Sequence, residues 1–308
     1  MLSRVAANIY WMGRYLERAE NTARLVSVTS ALMLDNPGSE AERNRGWTHL
    51  VTIVGGDTLF AKSGNTPDET GVTRFLLSRE ENPSSLVSTI AQARENLRTM
   101  RDLFPVEFWE KLNTLHGFLK QNAEQGVASG QRHAFLDEVV CHCQVLVGIL
   151  FGTSSRDTVF DFTRMGQYLE RADMNTRILD LDLSRMGQNG ASSPWLNLLR
   201  SVSAEQMYRR NVHPRVTDQA VYAYLLQDRS FPRALNFCLR EVERCLATLN
   251  DNALCIPLVK RMERMIDDAD IPRLLTDGPG AFMDAMQQEL GKLHDYIAAI
   301  YFAIPPPK

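Results

Sequence analysis

Apolar residues recur at helical spacing through most of the chain, and the two-residue alternation of a half-buried strand is scarce. Across 12–26, Met12, Tyr15, Leu16, Ala19, Ala23 and Val26 share one side of a helix drawn at about 100° per residue. Arg14, Glu17, Arg18, Glu20, Asn21 and Arg24 occupy the other side. The same periodicity predicts helices over 3–34, 40–54, 70–79, 83–103, 105–122, 129–152, 156–186, 194–200, 216–226, 231–250, 253–268 and 279–303. Asn36-Pro37-Gly38, Gly64-Asn65-Thr66-Pro67, 126–130, 187–194 and Asp277-Gly278-Pro279-Gly280 read as loops. Ile304-Pro305-Pro306-Pro307-Lys308 reads as a short extended tail. Leu50-Val51-Thr52-Ile53-Val54 is the one strand candidate, and it stops at Gly55-Gly56 with no regular partner after it.

The helical pattern repeats. Met12, Gly13, Tyr15, Leu16, Glu17, Arg18, Ala19 and Arg24 match Met165, Gly166, Tyr168, Leu169, Glu170, Arg171, Ala172 and Arg177. Glu20 matches Asp173 by charge, and Leu25 matches Ile178 by shape. A weaker pair follows each copy at similar distance. Asn82-Pro83-Ser84-Ser85-Leu86 and Phe231-Pro232-Arg233-Ala234-Leu235 each open a helix, with proline in the first turn where its missing N–H costs nothing. The expected fold is all-α: a single large helical bundle over 1–308, with two pseudo-symmetric halves, approximately 1–152 and 153–308, from internal duplication.

The repeated charges admit two readings. On one, they are a solvated face stapled by Glu20–Arg24 at i,i+4, worth a few tenths of a kcal/mol. On the other, the two polar faces meet in a central cleft, as a buried ion-pair network or a ligand pocket. A solvated face needs charge, but not the same charges in the same order. Glu17 and Glu170 are then the candidate catalytic carboxylates, and Arg14, Arg18, Glu20, Arg24, Arg171, Asp173 and Arg177 the candidate ligand-binding groups. Arg94 and Arg98 join them, because Arg94, Arg98 and Arg101 share a helix face at i, i+4, i+7 and repel unless an anion opposes them.

Composition narrows the chemistry. The formal net charge is −3, so no broad basic field exists for non-specific nucleic-acid binding. The most apolar run, Val139 to Gly152, is interrupted by His142 and Gln144 and reads as a buried core helix rather than a membrane span. The opening Met1-Leu2-Ser3-Arg4 enters an amphipathic helix without the marks of a secretory signal, so a cytoplasmic location is expected. The five cysteines form no disulfide framework. Cys141-His142-Cys143 suggests a metal, but its valine-rich surroundings favour a plain helix, and structural zinc needs four ligands. No phosphate-binding glycine loop and no Glu-x-x-His pair is present. His116 and His213-Pro214 stand isolated. No metal and no cofactor of the chain's own is expected.

Several blocks resemble the bacterial alpha-E family, a helical domain named for its Glu-Arg motif. They are Leu2-Ser3-Arg4-Val5-Ala6, the run from Tyr10 to Asn21, Asn82-Pro83-Ser84-Ser85, Ala93-Arg94-Glu95-Asn96, Tyr168-Leu169-Glu170-Arg171-Ala172-Asp173 and Phe231-Pro232-Arg233. Gln167 departs from the pattern, standing where the family often has Arg, which weakens one charge contact in the second half. The resemblance implies a neighbourhood: such genes lie beside, or are fused to, a circularly permuted ATP-grasp protein, often with a transglutaminase-like protein. ATP-grasp enzymes activate carboxylates as acyl phosphates and form amide bonds. The implied function is that of a helical partner of such a ligase, binding or presenting an anionic or peptidic substrate. The competing expectation is an enzyme that itself transfers an acyl or aminoacyl group. Arg18, Arg171 and Arg94 would then hold the substrate, with Glu17 or Glu170 as general base.

Overall fold

A computed structural model describes residues 2–35, 38–180, 194–212 and 216–303. The described residues form fifteen α-helices and no strand. In the first half α1 is Ser3–Asp35, α2 Glu40–Ile53, α3 Asp57–Lys62, α4 Glu69–Leu77, α5 Leu86–Arg98, α6 Val106–Val127 and α7 Ser129–Thr153. In the second, α8 is Thr158–Asp180, α9 Pro194–Ser201, α10 Glu205–Asn211, α11 Asp218–Gln227, α12 Leu235–Ala247, α13 Cys255–Asp267, α14 Ile271–Asp277 and α15 Gly280–Ile297. A π-helical turn, Ala298–Phe302, continues α15.

The strand candidate is overturned. Leu50 to Ile53 form the last turn of α2, and Leu50, Val51 and Ile53 are all buried. The prolines stand outside their helices rather than in the first turn. Ser85 caps α5, its side chain accepting from the Ser88 N–H, so Pro83 belongs to the preceding turn. In that turn Asn82 donates to the Phe75 carbonyl and accepts from the Ser84 N–H. The Asn-Pro-Ser-Ser block therefore has a local role: it satisfies the polar groups of a buried chain reversal. The tail from Ile304 to Lys308, the loop from Gly187 to Ser193, Asn36-Pro37 and His213-Pro214 lie outside the described residues.

Helices α1 and α8 are the axis of the molecule and pack along each other. Helices α5 and α7 cover α1, while α12 and α15 cover α8. Further out, α6 joins α5 to α7, and α13 joins α12 to α15. Because α1 is enclosed on several sides, its polar stripe is buried along with its apolar one: Arg14, Glu17, Glu20 and Asn21 are all inside. Residues without paired charges could not occupy such a stripe except as apolar groups.

The apolar run expected as a buried core helix is only half so. Helix α7 buries Phe135, Leu136, Val139, Cys143, Leu146 and Leu150 but exposes Cys141, Val145 and Gly148. It is the one described helix long and apolar enough to cross a membrane. At its start Arg132, almost wholly buried, donates to the Gly126 and Val127 carbonyls, to Ser30 and to Glu69, and lies over the Trp47 ring. It thus ties the end of α6 and the start of α7 to α1 and α4.

Candidate functional site

The repeated motif sits where α1 and α8 approach most closely, and its glycines permit that approach. A Cβ on Gly13 would lie 2.3 Å from the Thr163 carbonyl oxygen, and one on Gly166 would lie 2.1 Å from that of Tyr10. No side chain fits at either point. The contacts are reciprocal, each glycine resting on the backbone three residues before the other. Partners advance together along the two helices, from Tyr10 with Gly166, through Arg14 with Glu170, to Glu17 with Arg171. The helices therefore run parallel.

One turn beyond the glycines the Glu-Arg pairs cross the seam. Arg171 makes a two-pronged bond to Glu17, Nε at 2.7 Å and Nη2 at 2.6 Å. Arg18 grips Glu170 in the same way, Nε at 2.5 Å and Nη2 at 3.1 Å. The adjacent residues of each motif thus pair with the other copy, not with one another. Such fork-to-carboxylate bonds are the strong form of ionic hydrogen bond.

The charges gather into two clusters rather than one central cleft. On α1, Arg14 and Arg18 lie on one stripe at i,i+4, while Glu17, Glu20 and Arg24 lie on the next, so each cluster flanks the seam on its own side. On the first flank Glu170 also accepts from Arg14 Nε at 2.6 Å. On the second, Arg233, from the turn before α12, reaches Glu20 at 2.6 Å, Asn21 at 2.8 Å and Glu17 at 3.6 Å. Arg24 holds Glu20 at 2.8 Å and donates to the Ser203 hydroxyl at 2.7 Å. Asp173 pairs with Arg177 at 3.1 Å, the counterpart of Glu20 with Arg24. Among the described residues no hydrogen bond or ion pair joins the flanks.

Gln167 explains part of the asymmetry. It stands where Arg14 stands in the first copy, so Glu17 lacks the second guanidinium that Glu170 receives from its facing helix. Arg233 supplies the missing charge from a different element, and Ser84 occupies the matching position in the first half.

Burial and pairing act in opposite senses on the carboxylates. Burial alone would raise Glu170, but Arg18 and Arg14 override it and hold it at about 2. Glu17 is likewise held below its ordinary value, because Arg171 and Arg233 outweigh its complete burial. Both are therefore fixed anions. At the edge of the first flank, Tyr10 is pushed up to about 12 by burial. Its hydroxyl faces His294 Nδ1 at 3.0 Å. Burial, followed by the nearby Arg14, keeps His294 below its ordinary value and so neutral. Arg14 Nη1, which can only donate, also faces Nδ1 at 3.5 Å, so Nδ1 is assigned as the acceptor, Tyr10 as its donor and Nε2 as the carrier of the ring proton.

The remaining candidates are not brought to the motif. Arg94 donates to Asn113 at 2.6 Å and lies over Trp109. Arg98 pairs with Glu95 on the exposed side of α5. Arg101, past the end of α5, lies 3.8 Å from Asp102. Cys141 is exposed and Cys143 buried, while His142 faces Glu138 and Phe118. Among the described residues no three His, Cys, Asp or Glu side chains are placed to hold a metal. A groove of about 560 Å³ between α5 and α6, lined by Glu81, Val87, Ser88, His116 and Lys120, lies away from the seam.

Three participants had weak signals or none in the sequence. Arg233 lies in a recognised block, but nothing there pointed to Glu17 and Glu20. His294 is remote in sequence from Tyr10 and Arg14. Arg164, one turn before the second motif, is buried between the Phe151 and Tyr168 rings, its Cζ 3.9 and 4.2 Å from their centres, and pairs with Glu241 at 2.8 Å.

An uncharacterized protein of Mycobacterium bovis is 26% identical over 315 residues, covering 94% of this chain and 34% of that protein. An uncharacterized protein of Mycobacterium tuberculosis is 25% identical over the same span. The chain thus spans about a third of the length of the curated relatives it matches. No solved structure matches it. The alpha-E family, described as a predicted alpha-helical domain with a conserved ER motif, matches residues 1–302, and the chain belongs to that family.

Proposed function

We propose that this chain is a helical partner of an ATP-grasp-type amide or peptide ligase, and that it binds or presents an anionic or peptidic substrate beside the α1–α8 seam. A cytoplasmic location and a role in making or modifying a peptide belong to the same proposal. The observation that carries it is the length of the relatives, in which this domain accounts for about a third of the chain. A domain that persists beside so much other sequence works with what accompanies it. The choice of an ATP-grasp ligase rests on the family resemblance.

The chemistry of the motif supports a binding role over a catalytic one. The alternative, an enzyme transferring an acyl or aminoacyl group, needs Glu17 or Glu170 as general base. A carboxylate at about 2, locked by two guanidinium groups, is a poor proton acceptor at neutral pH. The reading is tested by co-expressing the chain with the neighbouring ATP-grasp protein. Co-elution on size exclusion, with a changed rate of amide formation when the chain is added to the ligase, is expected. Separate elution and an unchanged rate would overturn it.

A further inference from the structure

The two flanks carry the same charge but are not equally closed. The Glu17 flank holds Arg24, Arg171 and Arg233 against Glu17 and Glu20. The Glu170 flank holds Arg14 and Arg18 against Glu170, with Asp173 and Arg177 paired alongside. Each therefore has one more arginine than it has carboxylates. An excess cation inside a protein is costly unless solvent or an anion meets it.

On the Glu17 flank that excess is boxed in. The Arg233 fork is spent on Asn21 and Glu20, Arg171 also donates to the Pro232 carbonyl, and Arg24 ends on Ser203. On the Glu170 flank no such arginine enters from the turn before α5, where Ser84 stands. Arg18 is the most open guanidinium directly bonded to either motif glutamate, with a side chain 21% exposed. Its Nη1 has no acceptor among the described residues, since Glu170 takes Nε and Nη2.

A partly exposed row of aromatic groups begins beside it at Tyr15. Arg18 lies 5.9 Å from the Tyr15 ring, Tyr15 packs tilted against Trp11 at 5.7 Å, and Trp11 meets the His294 ring edge-on at 5.3 Å. Trp11 in turn covers Arg14 at 5.0 Å. The result is a continuous half-buried wall of Tyr15, Trp11 and His294 beside a cation with a spare donor. We propose that the Arg18 flank is a binding site for a peptide carboxylate, held by Arg18 with the peptide lying against Trp11 and Tyr15, and that the Glu17 flank is a closed structural clamp. A carboxylate matches the excess of one positive charge and the planar guanidinium. The aromatic wall suits the apolar part of a peptide better than a bare inorganic ion. This deepens the proposed function by naming the substrate's chemistry, and it rests on that reading for the ligand being a peptide.

The test uses the full chain labelled with ¹⁵N-tryptophan, whose four indole N–H signals are assigned by tryptophan-to-phenylalanine replacement. Three probes are titrated: acetyl-Ala-Glu-Ala-amide, acetyl-Ala-Gln-Ala-amide, and acetyl-Ala-Ala-Ala with a free C-terminus. A saturating shift of the Trp11 signal with either carboxylate peptide, and not with the glutamine peptide, is expected. The carboxylate peptide that binds identifies a side chain or a C-terminus as the source. Arg18→Gln should weaken binding at least about tenfold, as for loss of a charged hydrogen bond, while Arg98→Gln, on the outer face of α5, leaves it unchanged. No Trp11 shift with either carboxylate peptide, or an equal shift with the glutamine peptide, would overturn the site. Once the Trp11 signal is assigned, that comparison uses the unaltered chain alone. Failure here with ligase co-elution intact removes the carboxylate site and leaves the partnership standing.

Discussion

Replacing Gly166 with alanine should force α1 and α8 apart. The new Cβ would meet the Tyr10 carbonyl oxygen at 2.1 Å and the Arg14 backbone nitrogen at 3.3 Å, against about 3.4 Å for ordinary contact. Both obstacles are helix backbone, so relief requires the helices to separate by about 1 Å rather than a side chain to turn aside. Overpacking of this kind costs about 1–3 kcal/mol, and a backbone clash belongs at the upper end. Separation also stretches the Arg14–Glu170 and Glu17–Arg171 bonds, now 2.6 Å each. Against this, alanine returns about 1 kcal/mol of helix propensity. A net loss of about 2 kcal/mol is expected, and with an unfolding entropy of about 2.1 cal/mol/K per residue it lowers Tm by about 3 °C. The control is Gly148→Ala in α7, where a Cβ meets nothing within 4 Å. There the propensity gain stands alone, and stability should rise by up to about 1 kcal/mol. Urea and thermal unfolding followed by circular dichroism measure both. Equal effects of the two substitutions, or a Gly166→Ala variant as stable as the unaltered chain, would refute the close-approach reading.

Acid sensitivity should carry the signature of Glu170. Its folded value of about 2 lies below the ordinary 4.5, so the unfolded chain binds its proton more tightly. The stabilisation, about 3 kcal/mol for a shift of this size, is complete above about pH 5 and disappears as pH falls toward 2; urea midpoints across that range should drop less for Glu170→Gln than for the unaltered chain. Arg132→Met should cost about 3 kcal/mol, because it strands the Gly126 and Val127 carbonyls and unpairs Glu69; an unchanged urea midpoint would show that water replaces its bonds. An experimental structure should show one rotation that carries 12–25 onto 165–178 and also 83–100 onto 232–249; two unrelated rotations would argue against duplication of an ancestral half.

Much of the fold was legible because helical periodicity survives in most segments. The ends of α1, α2 and α7 fall near their expected places, while α6 runs on to Val127 rather than ending at 122. What failed did so for physical reasons. Leu50 to Val54 reads as β-branched and apolar, yet local propensity yields to burial at the end of α2. Short helices such as Asp57–Lys62 and Glu205–Asn211 span too few turns to show a period. The motif was visible as a repeat, but its burial was not. On a central helix, paired charges produce the same alternation as a solvated face, so the amphipathic pattern of α1 pointed outward for residues that lie inside. Periodicity also places Glu17 and Arg18 on neighbouring stripes without saying which helix each stripe meets. Arg233 and His294 were hidden for a related reason: their partners lie more than two hundred residues away in sequence.

The most direct measurement is a pair of double-mutant cycles on unfolding free energy. One combines Glu17→Gln with Arg171→Met, and the other combines Glu17→Gln with Arg18→Met. If the motif clamps α1 to α8 by exchanging partners across the seam, Glu17 and Arg171 should couple by about 2 kcal/mol or more, as for residues in one buried network. Glu17 and Arg18 are adjacent in sequence but face different flanks, so their coupling should stay below about 0.5 kcal/mol. A coupling of Glu17 to Arg18 as large as that to Arg171, or none to Arg171, would contradict the crossed clamp.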